Sequence, residues 1–466
     1  MRPSSAALPH APDPGAFVAT TTPVAPSSAS AWTSSIGAQA ADNGVLVGGR
    51  ERVLAGLGIA ATLFLPHGLE DEGSLLAVRA WLAAVEPAGG AGAGAGGRAG
   101  ATTGVPRLAA LGAFAFDPGA PAALIVPSVT WCRDADGQTW RVDVRRRDAP
   151  SVRDGLPVRD GLPVRDGLPV RDGLPGRDGA AAAFDPSTLL EVPPPAAYAS
   201  AVARAVADIR AGKLSKVVLA RMLDVRLPSP AVASLILQAL WDPGGLFSPF
   251  SIPIPSGRLV GASPELLVRR RGSTVTSHPL AGTVPLTGSE DDDQVQRLLD
   301  SPKDRAEHRL VVDAVADALE QRCSVLSVPK TPTVVRLGSD ARLGTLVRGT
   351  LRDVAAPATT SLALLALLHP TPAVAGVPRQ AALERIAELE PTARGYWAGA
   401  AGWADATGDG EWVLAIRSVE LDRRRALVRA GAGVVEGSDP RLELAETTVK
   451  LRPVLDALWP GASALL

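Results

Sequence analysis

SPKDRAEHRLVVDAVADALEQRC, residues 301–323, reads as a helix with a marked start. Ser301 suits the cap position, where its hydroxyl accepts from a free amide, and Pro302 suits the first helical position. Ala306, Leu310, Ala314 and Leu319, with Val311, Val315 and Ala318, recur at helical spacing and give one apolar side. Glu307 stands one turn before Leu310 and Val311, at the margin of that side. A carboxylate facing inward needs a partner, because burying an unpaired charge is costly. An arginine would serve, and so would a metal ion.

A second stretch, DPRLELAETTVKLRPVLDAL at 439–458, opens the same way on Asp439 and Pro440. Glu443, Glu446 and Lys450 follow at steps of three and four, so they share a helical face. Two carboxylates three residues apart repel unless something positive sits between them. Lys450 is one candidate and a divalent cation the other. Oxygen-only ligands with spare water positions suit magnesium.

The chain has 466 residues and a formal net charge of −1, which gives no general attraction to nucleic acid or to an anionic membrane. The longest apolar run, Leu362 to Leu368, is far too short to span a bilayer. Nothing near the start resembles a signal pattern, and the two cysteines, Cys132 and Cys323, fit a reducing cytoplasm. Basic residues are mostly arginine. The lysines are Lys213, Lys216, Lys303, Lys330 and Lys450, and a lysine among so many arginines suggests chemistry that arginine cannot perform, such as losing its proton.

Four segments follow. Residues 1–42, rich in Ala, Pro, Ser and Thr, read as a disordered tail. Residues 43–150 carry a helical pattern over 71–85, a glycine-rich insertion over 88–104, and strands over 123–131 and 139–144. Residues 151–185 hold four copies of VRDGLP and read as a flexible linker, because short units with Gly and Pro in each cannot build a core. Residues 186–466 form the core, with helices over 198–211 and 231–241 and strands over 216–225, 259–269, 273–279, 345–351, 412–421 and 427–433. Antiparallel-looking strand pairs with long helices between them predict an α+β fold.

Several residues in the core could carry chemistry. Lys216 opens an apolar strand, either reaching water or partly desolvated and able to act as a base. Glu265 precedes Leu266, Leu267 and Val268, either paired with Arg269 or Arg270 or held as a protonated acid in a semi-apolar site. Gly282 and Thr283, and the Gly431–Gly433 turn, could present main-chain amides to an anion. Arg417 lies inside an apolar run, where it could pair with a core carboxylate or grip a substrate carboxylate by two bonds.

In order along the chain, GASPELLVRR, HPLAGT, SPKDRAEHRLVVDA, HPTPAVAGVPR, GDGEWVLAIRS, GAGVVEGSDP and ELAETTVK resemble the chorismate-utilising enzymes, in particular their isochorismate synthase branch. The likeness covers residues 195–460 well, and GAFAFDPGAPAALIVPSV at 112–129 more loosely. It implies large, mostly antiparallel sheets packed face to face with helices outside and the active site between two halves. It also implies a monomer that converts chorismate to isochorismate with Mg2+. Lys216 then matches the group that activates water, and Glu265 the acid for the leaving hydroxyl. Glu307 and Glu446 match metal ligands, with Glu443 near enough to hold a metal-bound water. Arg417 and Lys450 match substrate-carboxylate groups, and Gly282, Thr283, Ala373 and Gly431 match the pocket lining.

HPTPAVAG separates the chain from the ammonia-using sister enzymes. Salicylate synthase, or a chorismate-binding paralogue with little activity, is the alternative. Whether the product serves menaquinone or a catechol siderophore stays open. The chain departs from the pattern where Arg342 replaces a histidine, where Leu286 replaces an arginine, and over 248–257.

Overall fold

A computed structural model describes residues 8, 11–24, 36–49, 51–85, 106–147, 188–240, 246–286, 288, 291–338 and 340–466. The helix opening at Ser301 runs Pro302–Glu320, and its Asp304 amide donates to Ser301 Oγ at 3.2 Å. Val311, Val315 and Leu319 are buried along its inner face. The last helix runs Pro440–Leu458, with the Arg441 and Leu442 amides on Asp439 Oδ1 at 2.8 and 3.2 Å.

Strands among the described residues form a twelve-stranded, a nine-stranded and a three-stranded sheet. Their pairings are all antiparallel, so the α+β expectation holds. The two large sheets pack face to face. Val45, Val47, Leu54 and Leu259 of one share a core with Leu111, Ala113, Trp403 and Val413 of the other. The alternate residues Leu46, Ala55 and Val260 point the other way, into a core with Ile236, Leu237, Leu451 and Leu455 of the helices Ala233–Leu240 and Pro440–Leu458. This period of two puts apolar residues on both faces of the larger sheet, with helices outside.

Runs that read as single strands break where the chain passes between sheets. The 123–131 run is Ala122–Val126 in the nine-stranded sheet and Val129–Asp134 in the twelve-stranded one, parted at Pro127. The 259–269 run is Gly257–Ser263 and Leu266–Arg271, again in different sheets, parted at Pro264 and Glu265. The 412–421 run is Gly410–Leu414 and Ser418–Asp422, parted at Ala415–Arg417. Arg417 is therefore not inside a strand. It sits at the crossing with φ 53°, in the left-handed region that few non-glycine residues occupy.

Residues 1–42 are not a disordered tail throughout. Phe17–Val24 forms an edge strand of the large sheet, paired along its whole length with Thr139–Arg146, and Gly37–Asn43 is a helix. Phe17 and Ala19 face inward, and the Phe17 ring lies 5.8 Å from that of Trp81. Pro23 fits because an edge strand has amides that need no ladder partner. The 88–104 insertion and the VRDGLP repeats lie outside the described residues. Both cysteines are buried and free. Among the described residues no helix is long and apolar enough to cross a membrane.

Candidate active site

The site is built on two neighbouring strands of the large sheet, Lys216–Arg226 and Arg425–Val434. Val218 lies opposite Gly433 and Ala220 opposite Gly431, so these residues share a face with Lys216 two positions before Val218. Lys216 is 0% exposed, and its Nζ lies 3.1 Å from Glu307 Oε1 on the helix Pro302–Glu320. Gly433 makes that meeting possible, because a Cβ there would fall 2.0 Å from Glu307 Oε1. Burial alone would raise the Glu307 carboxyl, but the ammonium groups of Lys216, Lys450 and Lys303 outweigh it and hold it below its usual range.

The other expected carboxylates also sit on lysines. Lys450 Nζ donates to Glu446 Oε1 at 2.5 Å and to the Gly431 carbonyl at 2.9 Å. Lys303 Nζ donates to Glu443 Oε1 at 2.6 Å. Burial and the Glu446 charge raise the Glu443 carboxyl all the same. Burial, with Glu307 and Glu446 nearby, also raises Asp304. The donors are all oxygen, which suits a hard divalent cation. In this structure each oxygen set faces its own lysine, and among the described residues no three acidic, His or Cys groups converge at metal-binding spacing.

A second set of groups comes from the crossings and the small sheet. Glu265 is 4% exposed, and burial pushes its carboxyl up to about 7 against the pull of Arg342, the Leu280 amide, Lys216 and Lys450. Arg269 instead pairs with Glu51 at 2.9 Å and Arg270 with Asp409 at 3.5 Å, so neither neighbour takes Glu265. Arg417 donates from Nη2 to Asp340 Oδ2 at 2.7 Å and from Nη1 to the Lys450 carbonyl at 2.8 Å. Gly282, at φ 70°, brings the small sheet against Asp304, where a Cβ would lie 3.0 Å from the Asp304 Cβ.

One cavity, about 630 Å3 with its open mouth, is lined by nine of the eleven residues expected from sequence: Glu265, Gly282, Thr283, Glu307, Ala373, Arg417, Gly431, Glu446 and Lys450. Lys216 reaches it through Glu307. Glu443 does not line it, and turns instead to Lys303. The sequence reading missed Trp397, Arg429, Lys303 and Asp340. Arg429 was legible, since it stands two residues before Gly431 on one strand and so on the same face. Lys303 was legible too, one helical turn before Glu307. Trp397 lies in a loop and carries no such signal.

The sequence model of the chorismate binding enzyme family matches residues 179–459. The chain belongs to that family. As a chorismate-binding enzyme it is 42% identical over 276 residues to isochorismate synthase DhbC of Bacillus subtilis (57% of this chain, 69% of that one). It is 38% identical over 268 residues to isochorismate synthase EntC of Escherichia coli (57% and 68%). Among solved structures it superposes on DhbC from Bacillus anthracis with a TM-score of 0.71 at 31% identity, over 92% of this chain and 99% of the other. The fold extends to anthranilate synthase component I from Streptococcus pneumoniae, with a TM-score of 0.58 at 26% identity over 74% and 80%. The face-to-face sheets of the chorismate-binding enzymes are thus the fold of this chain as well.

Proposed function

We propose that this enzyme is an isochorismate synthase, converting chorismate to isochorismate reversibly with Mg2+. The observation that carries the reading is Glu265, buried in the cavity with its proton held to about pH 7 while lysine and arginine groups surround it. A carboxylic acid protonated near neutrality can deliver a proton to a leaving hydroxyl. The named relatives carry the same activity.

In this reading Lys216, starting as the free amine, takes a proton from the water that attacks C2 of the ring. The double bonds shift, the C4–O bond breaks, and Glu265 protonates the departing oxygen. One water enters and one leaves, so the change is an isomerisation. Each turnover leaves Lys216 with an extra proton and Glu265 without one, which is the starting state for the reverse reaction. Arg417 and Lys450 hold substrate carboxylate, and the Gly282, Thr283, Ala373 and Gly431 surfaces shape the pocket. Glu307 and Glu446 would hold the cation, with Glu443 behind them. When bound, it supplies positive charge that offsets the substrate dianion and takes up the Glu307 charge that otherwise faces Lys216.

The test is to incubate the purified protein with chorismate, with and without Mg2+, and separate the products. Isochorismate alone supports the reading. Salicylate with pyruvate would reassign the chain to the salicylate synthases, and binding without product would make it a chorismate-binding protein only.

A further inference from the structure

Asp340 is 1% exposed, and its Oδ2 accepts from two guanidinium groups, Arg342 Nε at 3.1 Å and Arg417 Nη2 at 2.7 Å. Burial would raise the Asp340 carboxyl, but the two arginines prevail and hold it below its usual range. Two fixed positive charges therefore share one negative charge. The lysines, by contrast, meet carboxylates one for one.

The two arginines are engaged differently. Arg417 has already committed Nη1 to the Lys450 carbonyl. Arg342 uses only Nε. Its two terminal amino groups have no hydrogen-bond partner among the described residues, although the side chain is only 6% exposed and lines the cavity. Its open donors therefore face the cavity it lines, where they can meet water or a ligand. The edge left open is the one whose paired N–H groups match the two oxygens of a carboxylate. The histidine that the family pattern places here offers no such paired edge. Asp340, two residues earlier on the strand Asp340–Gly344, points to the same face and supplies the carboxylate that holds Nε.

The geometry points to Arg342 as a substrate-binding residue, gripping one carboxylate of the substrate end-on through its two amino groups. Asp340 is the positioning residue that sets Arg342 and Arg417 side by side. The inference rests on the chorismate reading of the cavity. The replacement of histidine by arginine is then a change of grip on the substrate and leaves the reaction intact.

Steady-state kinetics with chorismate, isochorismate being quantified by chromatography, tests this on the full chain. Arg342→Ala should raise KM about tenfold to a hundredfold, the loss expected for charge-assisted hydrogen bonds, with kcat changed by less than about threefold. Arg342→Lys keeps the charge but not the planar edge, and should recover only part of the loss. Asp340→Asn keeps both arginines but loosens them, and should raise KM less than Arg342→Ala does. Should Arg342→Ala fail to fold, Arg342→Gln carries the same prediction. An unchanged KM in a folded Arg342 variant overturns the assignment, and so does a loss confined to kcat. If the wild-type protein makes no isochorismate, it is the proposed function that fails. Calorimetric binding of chorismate to wild type and Arg342→Ala then decides the grip alone, and equal affinities overturn it.

Discussion

The two charged walls of the cavity differ in kind. On one, Lys216, Lys303 and Lys450 each meet a single carboxylate, from Glu307, Glu443 and Glu446. On the other, Arg342 and Arg417 divide one buried carboxylate, Asp340. Lysine is a compact charge that can give up its proton, whereas arginine is a rigid fork that effectively cannot. The lysine wall is therefore suited to moving protons and to releasing its carboxylates. The arginine wall is suited to holding an anion in one orientation. Glu265 lies within reach of both, since Arg342, Lys216 and Lys450 all act on its proton.

The largest expected effect comes from removing the proton-moving lysine. Lys216→Ala should lower kcat about 10^2- to 10^4-fold while KM changes little. A change mainly in KM would mean that Lys216 belongs with the anion-holding groups and that the two walls do not divide the work. Gly433→Ala is a sharper probe of the same contact. Its methyl would press on Glu307 Oε1 and crowd Lys216 Cε, so the carboxylate must move from its present contact, and turnover should fall without removing either residue. Full activity in that variant would show the pair to be dispensable.

Next in size is Glu265. As a general acid it must carry its proton, so kcat/KM should fall as pH rises through about 7. Glu265→Gln should lower the rate about 10^2-fold or more and abolish that limb. Arg342→Ala should move the limb upward, because Arg342 is the strongest of the charges opposing the proton. The same group affects stability. Its carboxyl is raised in the folded chain, so the fold is favoured at low pH and loses that advantage as pH climbs from the ordinary carboxylate range through about 7. Urea denaturation at pH 6 and 8 should show a smaller pH dependence in Glu265→Gln than in the wild type.

A smaller effect should follow at the carboxylates. Glu307→Gln should raise the Mg2+ concentration needed for half-maximal rate about tenfold or more, as removal of a charged ligand would. An unchanged requirement would leave the lysine wall as ion pairs alone.

The two walls were also unequally legible in the sequence. The helix starts at Ser301 and Asp439 are local signals, and both appear as read. Lys216 and Lys450 follow from those starts and from the rarity of lysine, while Lys303 went unread although it stands one turn before Glu307. Arg417 and Glu265 depend on where the chain leaves one large sheet for the other, and no period records that; Asp340 and Arg342 lie instead on a strand of the small sheet. Both large sheets bury apolar residues, so VLAIRSVEL stays apolar straight through its crossing. Pro127 and Pro264 mark the other crossings, but Arg417 takes its left-handed turn with no glycine to announce it. The strand Phe17–Val24 escaped for a different reason. Its β-branched run is short and lies between stretches of Ala, Pro and Ser that dominate any window across it.

The smallest expected effect separates the walls most cleanly. Lys303 stands in the first turn of the helix Pro302–Glu320, with its side chain 31% exposed, and it serves Glu443 through one charged hydrogen bond of 2.6 Å. An arginine there keeps the charge, has solvent in which to place its larger head, and can still reach the same oxygen. Lys303→Arg should therefore keep kcat and KM within about twofold, since the charge on Glu443 is retained and the larger head has solvent on the Lys303 side. The reciprocal exchange, Arg342→Lys, keeps the charge but loses the fork, and should show in KM. If both exchanges were silent, charge alone would govern both walls. If Lys303→Arg were as damaging as Arg342→Lys, the lysine wall would need shape as well, and the division between proton-moving and anion-holding sides would fail.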